Sequence, residues 1–87
     1  MIVIRVDRGV PPGVADSLRD PIERGAAGYP GYCEAFIYGL GGGPVDEELV
    51  VRFSTAHGVV PVLMRTRDVD PARVAATVKT VLARPDL

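Results

Sequence analysis

Ten glycines and eight prolines divide this chain of 87 residues into short apolar segments, and the turns that they predict limit its possible folds. The longest apolar run, residues 59–64, is far shorter than the roughly 20 residues that a membrane-spanning helix needs. Each segment is long enough for one strand or one short helix. Because no repeat or linker separates them, we expect residues 1–87 to form a single domain.

The overall charge excludes some classes of function. Ten basic residues are interspersed with eleven acidic ones, and the net charge is −1. A nucleic-acid-binding protein carries a basic patch and a membrane-surface protein a basic amphipathic helix; neither is present, so we expect neither partner. The N-terminus has no extended apolar core followed by a cleavage site, and the only cysteine is Cys33. We therefore expect a cytoplasmic protein without an intrachain disulfide.

Two segments alternate in the manner of strands exposed on one side. In residues 1–7 the apolar Ile2, Ile4 and Val6 share one face, and Arg5 indicates a less covered second face or a sheet edge. Residues 32–38 alternate in the same way, with Cys33, Ala35 and Ile37 on one side and Tyr32, Glu34, Phe36 and Tyr38 on the other. If the two strands are neighbours, we expect Arg5 to pair with Glu34.

A third strand and two helices follow from other patterns. Residues 59–66 are nearly all apolar, which predicts a strand covered on both faces, with Pro61 near its start or on an edge. Residues 14–25 have a helical stripe interrupted at Pro21, with Asp20 as a potential N-cap, so we expect a kinked helix or two short ones ending at Gly25 or Gly28. Residues 68–84 predict a helix with Asp70 as N-cap.

Residues 44–57 fit either a helix or a strand. Pro44, the acids that follow it and the stripe Leu49, Val50 and Phe53 favour a helix. The order is then β-α-β-α-β-α, an α/β domain with a mainly parallel three-stranded sheet. The alternative makes residues 47–55 a strand, which gives β-α-β-β-β-α, an α+β arrangement with two hairpins.

The glycine-rich segment after residue 38 is a candidate anion-binding loop. Gly41, Gly42 and Gly43 lack the spacing of a dinucleotide fingerprint or a P-loop, and three acids follow them, so we expect no nucleotide cofactor. Arginines at predicted strand ends could supply the positive charge that the loop lacks. The candidate ligand-binding residues are therefore Arg8, Gly41, Gly42, Gly43, Arg65 and Arg67.

No catalytic residues are predicted from this sequence. His57 fits the C-terminus of the helical interpretation, although a minimal acid–base enzyme centred on it stays open, and Cys33 fits a buried strand position. One Cys and one His do not make a closed zinc site. Tyr29, Tyr32 and Tyr38 are candidate interface residues, because tyrosine is enriched in protein interfaces. We expect a non-catalytic interaction module with a protein partner or as a homodimer; the alternative is a small-ligand or anion-binding domain, or an accessory enzyme subunit.

Overall fold

The computed structural model describes residues 2–39, 48–65 and 70–84 as a small α/β domain. Its elements are β1 (Ile2–Val6), α1 (Pro12–Ala26), β2 (Cys33–Gly39), β3 (Glu48–Thr55), β4 (Val59–Arg65) and α2 (Pro71–Leu82). The strands form one mixed sheet in the order β1-β2-β3-β4. β1 and β2 are parallel, with α1 as the crossover that a parallel pair requires, whereas the other two pairs are antiparallel.

The helix predicted for residues 44–57 is wrong over the described part of that segment, where β3 forms instead. The predicted three-stranded parallel sheet is wrong with it, and the observed order is the alternative, β-α-β-β-β-α. Leu49, Val51 and Phe53 are 0% exposed and share one face, which is the period of a strand. Residues 44–47 lie outside the described ranges.

The burial of three consecutive residues of β3, Leu49, Val50 and Val51, explains the wrong prediction. Val50, on the opposite face from Val51, lies between Tyr38 of β2 and Leu63 of β4 and is also buried. A central strand is therefore apolar at consecutive positions. Its residues then also satisfy the spacing of a helical stripe, so hydrophobic periodicity does not distinguish the two structures.

α1 is one continuous helix over Pro12–Ala26, so of the two predicted alternatives, a kinked helix or two short ones, the second is wrong. Pro21 lies inside α1 and is buried, so its ring contributes apolar contact although it donates no backbone hydrogen bond. Asp20 is not an N-cap: its carboxylate pairs with Arg24 one turn later, at 3.1 Å. The helix ends at Ala26, between the two glycines proposed as its end.

Both helices pack on the same face of the sheet. Leu18 and Ile22 of α1 share one buried cluster with Val74 and Val78 of α2. The same cluster contains the side chains of β2 and β3 that point towards the helices: Cys33, Ala35, Ile37, Leu49, Val51 and Phe53. α2 begins as predicted, because the Asp70 carboxylate accepts a hydrogen bond from the Ala72 backbone N–H at 3.1 Å. The helices contact each other closely at Gly25, where a Cβ would lie 2.5 Å from the Ala75 carbonyl oxygen.

β4 is an edge strand, so the prediction that it is covered on both faces is wrong. Its residues alternate in burial, and the outward Val59 and Leu63 are 58% and 57% exposed. The apolar run is thus a half-buried strand, and some of its apolar side chains are exposed. Pro61, the third residue of β4, lies on an edge as expected.

Candidate functional site

The sheet face opposite the helices has no described element packed on it, and we call it the open sheet face. Each strand places alternate side chains there, and the strand register aligns them in rows. Its members are Val3, Arg5, Glu34, Phe36, Tyr38, Glu48, Val50, Arg52, Ser54, Val59, Pro61, Leu63 and Arg65. The face therefore combines aliphatic, aromatic and cationic side chains, several of them exposed.

Two aromatic rings and two guanidinium groups form the middle of this face, and we call them the aromatic–arginine cluster. Phe36 is opposite Arg5 on one side and Arg52 on the other. The Cζ atoms of Arg5 and Arg52 lie 5.8 Å and 5.3 Å from the Phe36 ring centroid. Arg52 Cζ also lies 6.0 Å from the Tyr38 centroid, and the two rings are 5.3 Å apart. These are cation–π distances, so the rings hold both cations on an exposed surface.

The two arginines of the cluster differ in their charge partners. The predicted pair of Arg5 and Glu34 is confirmed, with Arg5 Nη1 3.5 Å from Glu34 Oε1. The Tyr32 hydroxyl also donates to Glu34, at 3.3 Å from Oε2. Arg52, by contrast, forms no ion pair with any residue in the described ranges. The cluster thus presents one compensated and one uncompensated positive charge.

Two of the six candidate anion-binding residues are described, and both lie at one end of the sheet. β1, β2 and β4 run in the same direction, so Arg8 after β1 and Arg65 at the end of β4 lie at the same end. They belong to opposite edges, however, about 14 Å apart across the strands. Gly41, Gly42, Gly43 and Arg67 lie outside the described residues. Because Glu48–Thr55 is β3, the predicted helix whose N-terminus would have attracted an anion does not form over the described part of residues 44–57.

Arg65, which lies on the open sheet face opposite Glu48, also lines a cavity at the β4 edge together with Arg73, an arginine that sequence reasoning missed. The cavity, of about 370 Å³, lies between β4 and α2 and is lined by Val62, Leu63, Met64, Arg65, Arg73, Val74 and Thr77. Arg73 is in the first turn of α2, eight positions after Arg65, and no motif connects the two. Only the packing of α2 beside the β4 edge brings them to one cavity.

The three candidate interface tyrosines do not share one surface. Tyr38 belongs to the aromatic–arginine cluster, and Tyr32, which is 60% exposed, contacts that face through Glu34. Tyr29 follows α1, where it is partly buried against the core on the helix side. Two of the three therefore lie at the open sheet face.

Cys33 lies in the core, whereas His57 lies on the surface. Cys33 is 1% exposed, and burial raises the pKa of its thiol, which disfavours the nucleophilic thiolate. His57 is exposed in the β3–β4 turn, so its predicted position at a helix C-terminus is wrong. Its backbone N–H donates to Thr55 Oγ1 at 3.1 Å.

The described residues hold neither a metal-ligating cluster nor a membrane-spanning helix. Within residues 2–39, 48–65 and 70–84, no group of three or more His, Cys, Asp or Glu side chains is placed to hold a metal ion. No helix in those ranges is long and apolar enough to cross a membrane.

Comparison with known proteins assigns no relative to this chain. No protein-family model matches it, and neither does any curated protein or solved structure. The functional argument therefore rests on the geometry of the domain itself.

Proposed function

We propose that this protein is a cytoplasmic, non-catalytic interaction module, an adaptor, regulator or inhibitor that binds a partner protein on its open sheet face. The observation that carries the proposal is the aromatic–arginine cluster, whose arginines are exposed and whose rings are half-buried, at the centre of a sheet face that no described element covers. Aromatic residues and arginine are the side chains most enriched among those that dominate interface energies. Exposed Val3, Val59 and Leu63 surround the cluster and supply apolar area.

The charges of the face define the chemistry of the partner. Arg52 has its guanidinium over two rings and no carboxylate partner among the described residues, so it is available for a fork-like bond to a carboxylate. The face measures roughly 19 Å by 23 Å, estimated from strand spacing and rise. That area fits one helix, about 10 Å wide, or a strand pair. The partner therefore presents a compact apolar element with acidic residues beside its apolar side chains.

The test compares an open-face variant with a helix-side variant of the same charge change. Wild-type protein, Arg52→Glu and Arg19→Glu are immobilised in parallel and exposed to lysate of the source organism. Arg19 is exposed on α1, on the other side of the domain, so it is a matched control. A protein retained by wild type and by Arg19→Glu, but lost with Arg52→Glu, is then purified and its dissociation constant is measured by calorimetry.

We expect Arg52→Glu to weaken that binding by at least about 100-fold, because it replaces an attractive contact with a like-charge contact. Thermal unfolding of each variant confirms that the domain is still folded. Equal retention on all three surfaces, or equal dissociation constants for wild type and Arg52→Glu, would remove the open sheet face from the function.

A second candidate function is the binding of a small apolar anion in the β4–α2 cavity. Its volume lies within the range of small-molecule sites, and its lining combines Val62, Met64 and Val74 with Arg65 and Arg73. Among the described residues that line the cavity none is a carboxylate, so the two arginines favour an anionic group. The expected ligand is a carboxylate or phosphate attached to a short apolar body.

Probe molecules separate this candidate from the first. Sodium octanoate, octanol, inorganic phosphate and AMP are added in turn, and the melting temperature is measured for wild type, Arg65→Ala, Arg73→Ala and Arg19→Ala. We expect octanoate to stabilise wild type and Arg19→Ala, and to stabilise neither cavity variant. If none of the anions stabilises wild type, or if Arg65→Ala and Arg73→Ala respond as wild type does, the cavity is not an anion site.

A further inference from the structure

The two edges of the sheet differ in the backbone groups that they present. At β1, the Asp7 N–H donates to the Ile37 carbonyl at 2.9 Å and continues the ladder to β2. Because successive residues of a strand alternate, Val3 and Arg5 also direct their backbone groups towards β2. The N–H and C=O groups of Ile2, Ile4 and Val6 therefore point outward, and no described strand pairs with them.

The β4 edge is blocked by Pro61. The Thr55 N–H donates to the Gly58 carbonyl at 2.9 Å, so bonded pairs alternate along β3 and β4 from that point. Pro61, opposite Arg52, then falls in a pair that is not hydrogen-bonded, and its nitrogen faces the free edge. Since proline has no N–H, this edge lacks a donor at its centre and resists the addition of a further strand. β1 contains no proline.

We propose that β1 pairs antiparallel with β1 of a second copy of this chain, about a two-fold axis at Ile4. In this register Ile4 is opposite Ile4, Ile2 is opposite Val6 and Val3 is opposite Arg5 of the other copy. It is the register that pairs all five residues of β1. All three outward-pointing residues then meet outward-pointing residues of the second copy, so each exchanges both of its backbone bonds.

The side chains of β1 are complementary in this register. Ile2, Ile4 and Val6 are only partly buried in one chain, and the second copy extends the apolar layer beneath the helices. On the open face, the two Arg5 residues do not oppose each other. Arg5 of the second copy lies beside Val3, and Glu34 lies on the other side of Val3 in the same cross-strand row. The row therefore contains a carboxylate as well as the guanidinium group. The dimer is an eight-stranded sheet whose two outer strands are β4, each with Pro61 at the centre of its free edge.

This dimer does not depend on the proposed docking function, because it uses the strand edge and not the aromatic–arginine cluster. If both hold, the eight-stranded sheet carries two aromatic–arginine clusters on the same side. A partner with two binding elements would then be held by both, with an avidity above that of one face.

Charge substitutions at Val3 test both the dimer and its register. Val3 is partly exposed, so a longer polar side chain there is compatible with folding. Light scattering after size-exclusion chromatography and sedimentation equilibrium give the mass and the dimer dissociation constant. We expect twice the 9.2 kDa of one chain for wild type. Val3→Arg, which faces Arg5 twice per dimer, should raise the dissociation constant about tenfold, whereas Val3→Glu should lower it.

Three controls make the result decisive. Val59→Arg adds the same charge at the β4 edge and should leave the dissociation constant unchanged. Arg52→Glu should also leave it unchanged, which separates dimerisation from partner docking. Amide exchange of Ile4 should slow with rising protein concentration, whereas that of Leu63 should not. A monomer at every concentration, or a dimer that Val59→Arg weakens and Val3→Arg does not, would overturn the proposal.

Discussion

The two faces of β3 differ in what surrounds their side chains. Val51 and Phe53 point towards the helices and are fully buried, whereas Arg52, between them in sequence, lies exposed over Phe36 on the open sheet face. The helix side is closely packed and determines stability. The open side is held by cross-strand contacts that cost little to change. Substitutions on the two faces should therefore separate folding from recognition.

The largest expected effect is the loss of a core ring on the helix side. Phe53→Ala should lower the free energy of unfolding by about 3–5 kcal/mol, because it leaves a cavity in a closely packed cluster. Urea denaturation measures the change. A loss of less than about 1 kcal/mol would mean that this face is not the main source of stability.

A slightly smaller effect is expected where the two helices meet. Gly25→Ala would place a Cβ 2.5 Å from the Ala75 carbonyl oxygen and 2.7 Å from Val78 Cβ, so we expect a loss of about 1–3 kcal/mol. Gly13→Ala is the control in the same helix, where nothing lies within 4 Å of the added Cβ. It should be neutral or stabilising by up to about 1 kcal/mol. Equal effects of the two substitutions in thermal unfolding would contradict the close approach of α1 and α2.

The open sheet face should respond weakly to the same kind of truncation. Phe36→Ala removes a partly exposed ring and its contacts with Arg5 and Arg52, and we expect a cost of about 1–2 kcal/mol in urea denaturation. The difference between Phe53→Ala and Phe36→Ala is the direct measure of how the two faces differ. Equal losses would show that the open face is part of the core, and the distinction drawn here would fail.

The smallest effect is a dependence on pH from Cys33, which faces the helices. Burial raises the pKa of its thiol, so the folded protein holds the proton at pH values where the unfolded chain releases it. Stability should be intact below the ordinary thiol pKa of about 8.5 and should fall as the pH rises above it. Comparison with Cys33→Ala isolates the thiol: wild type should lose stability relative to the variant between neutral and alkaline pH. A constant difference would contradict the burial.

Local sequence patterns predicted several features of the domain correctly. Three features were predicted from the sequence: the alternation of residues in β1 and β2, the ion pair of Arg5 with Glu34 and the Asp70 cap of α2. Each depends on residues that are adjacent in the chain or on two neighbouring strands. The aromatic–arginine cluster was only partly accessible: Phe36 and Tyr38 were assigned to one face with Glu34, but Arg52 was assigned to a helix.

Residues 48–55 and the β4–α2 cavity required knowledge of the whole domain. Leu49 and Val50 are both buried because β3 has a strand on each side, which no property of the segment itself reveals. Arg65 and Arg73 come together only because α2 packs beside the β4 edge.

The amino-acid sequence by itself determined the number of short elements, the alternation of β1 and β2 and the start of α2, because these depend on interactions between near neighbours. The tertiary structure decided that β3 is a strand, that β4 is an edge and that the helices cover one face only. The physical reason is that the burial of a segment depends on the strands beside it and the helices over it, and these come together only in the folded domain.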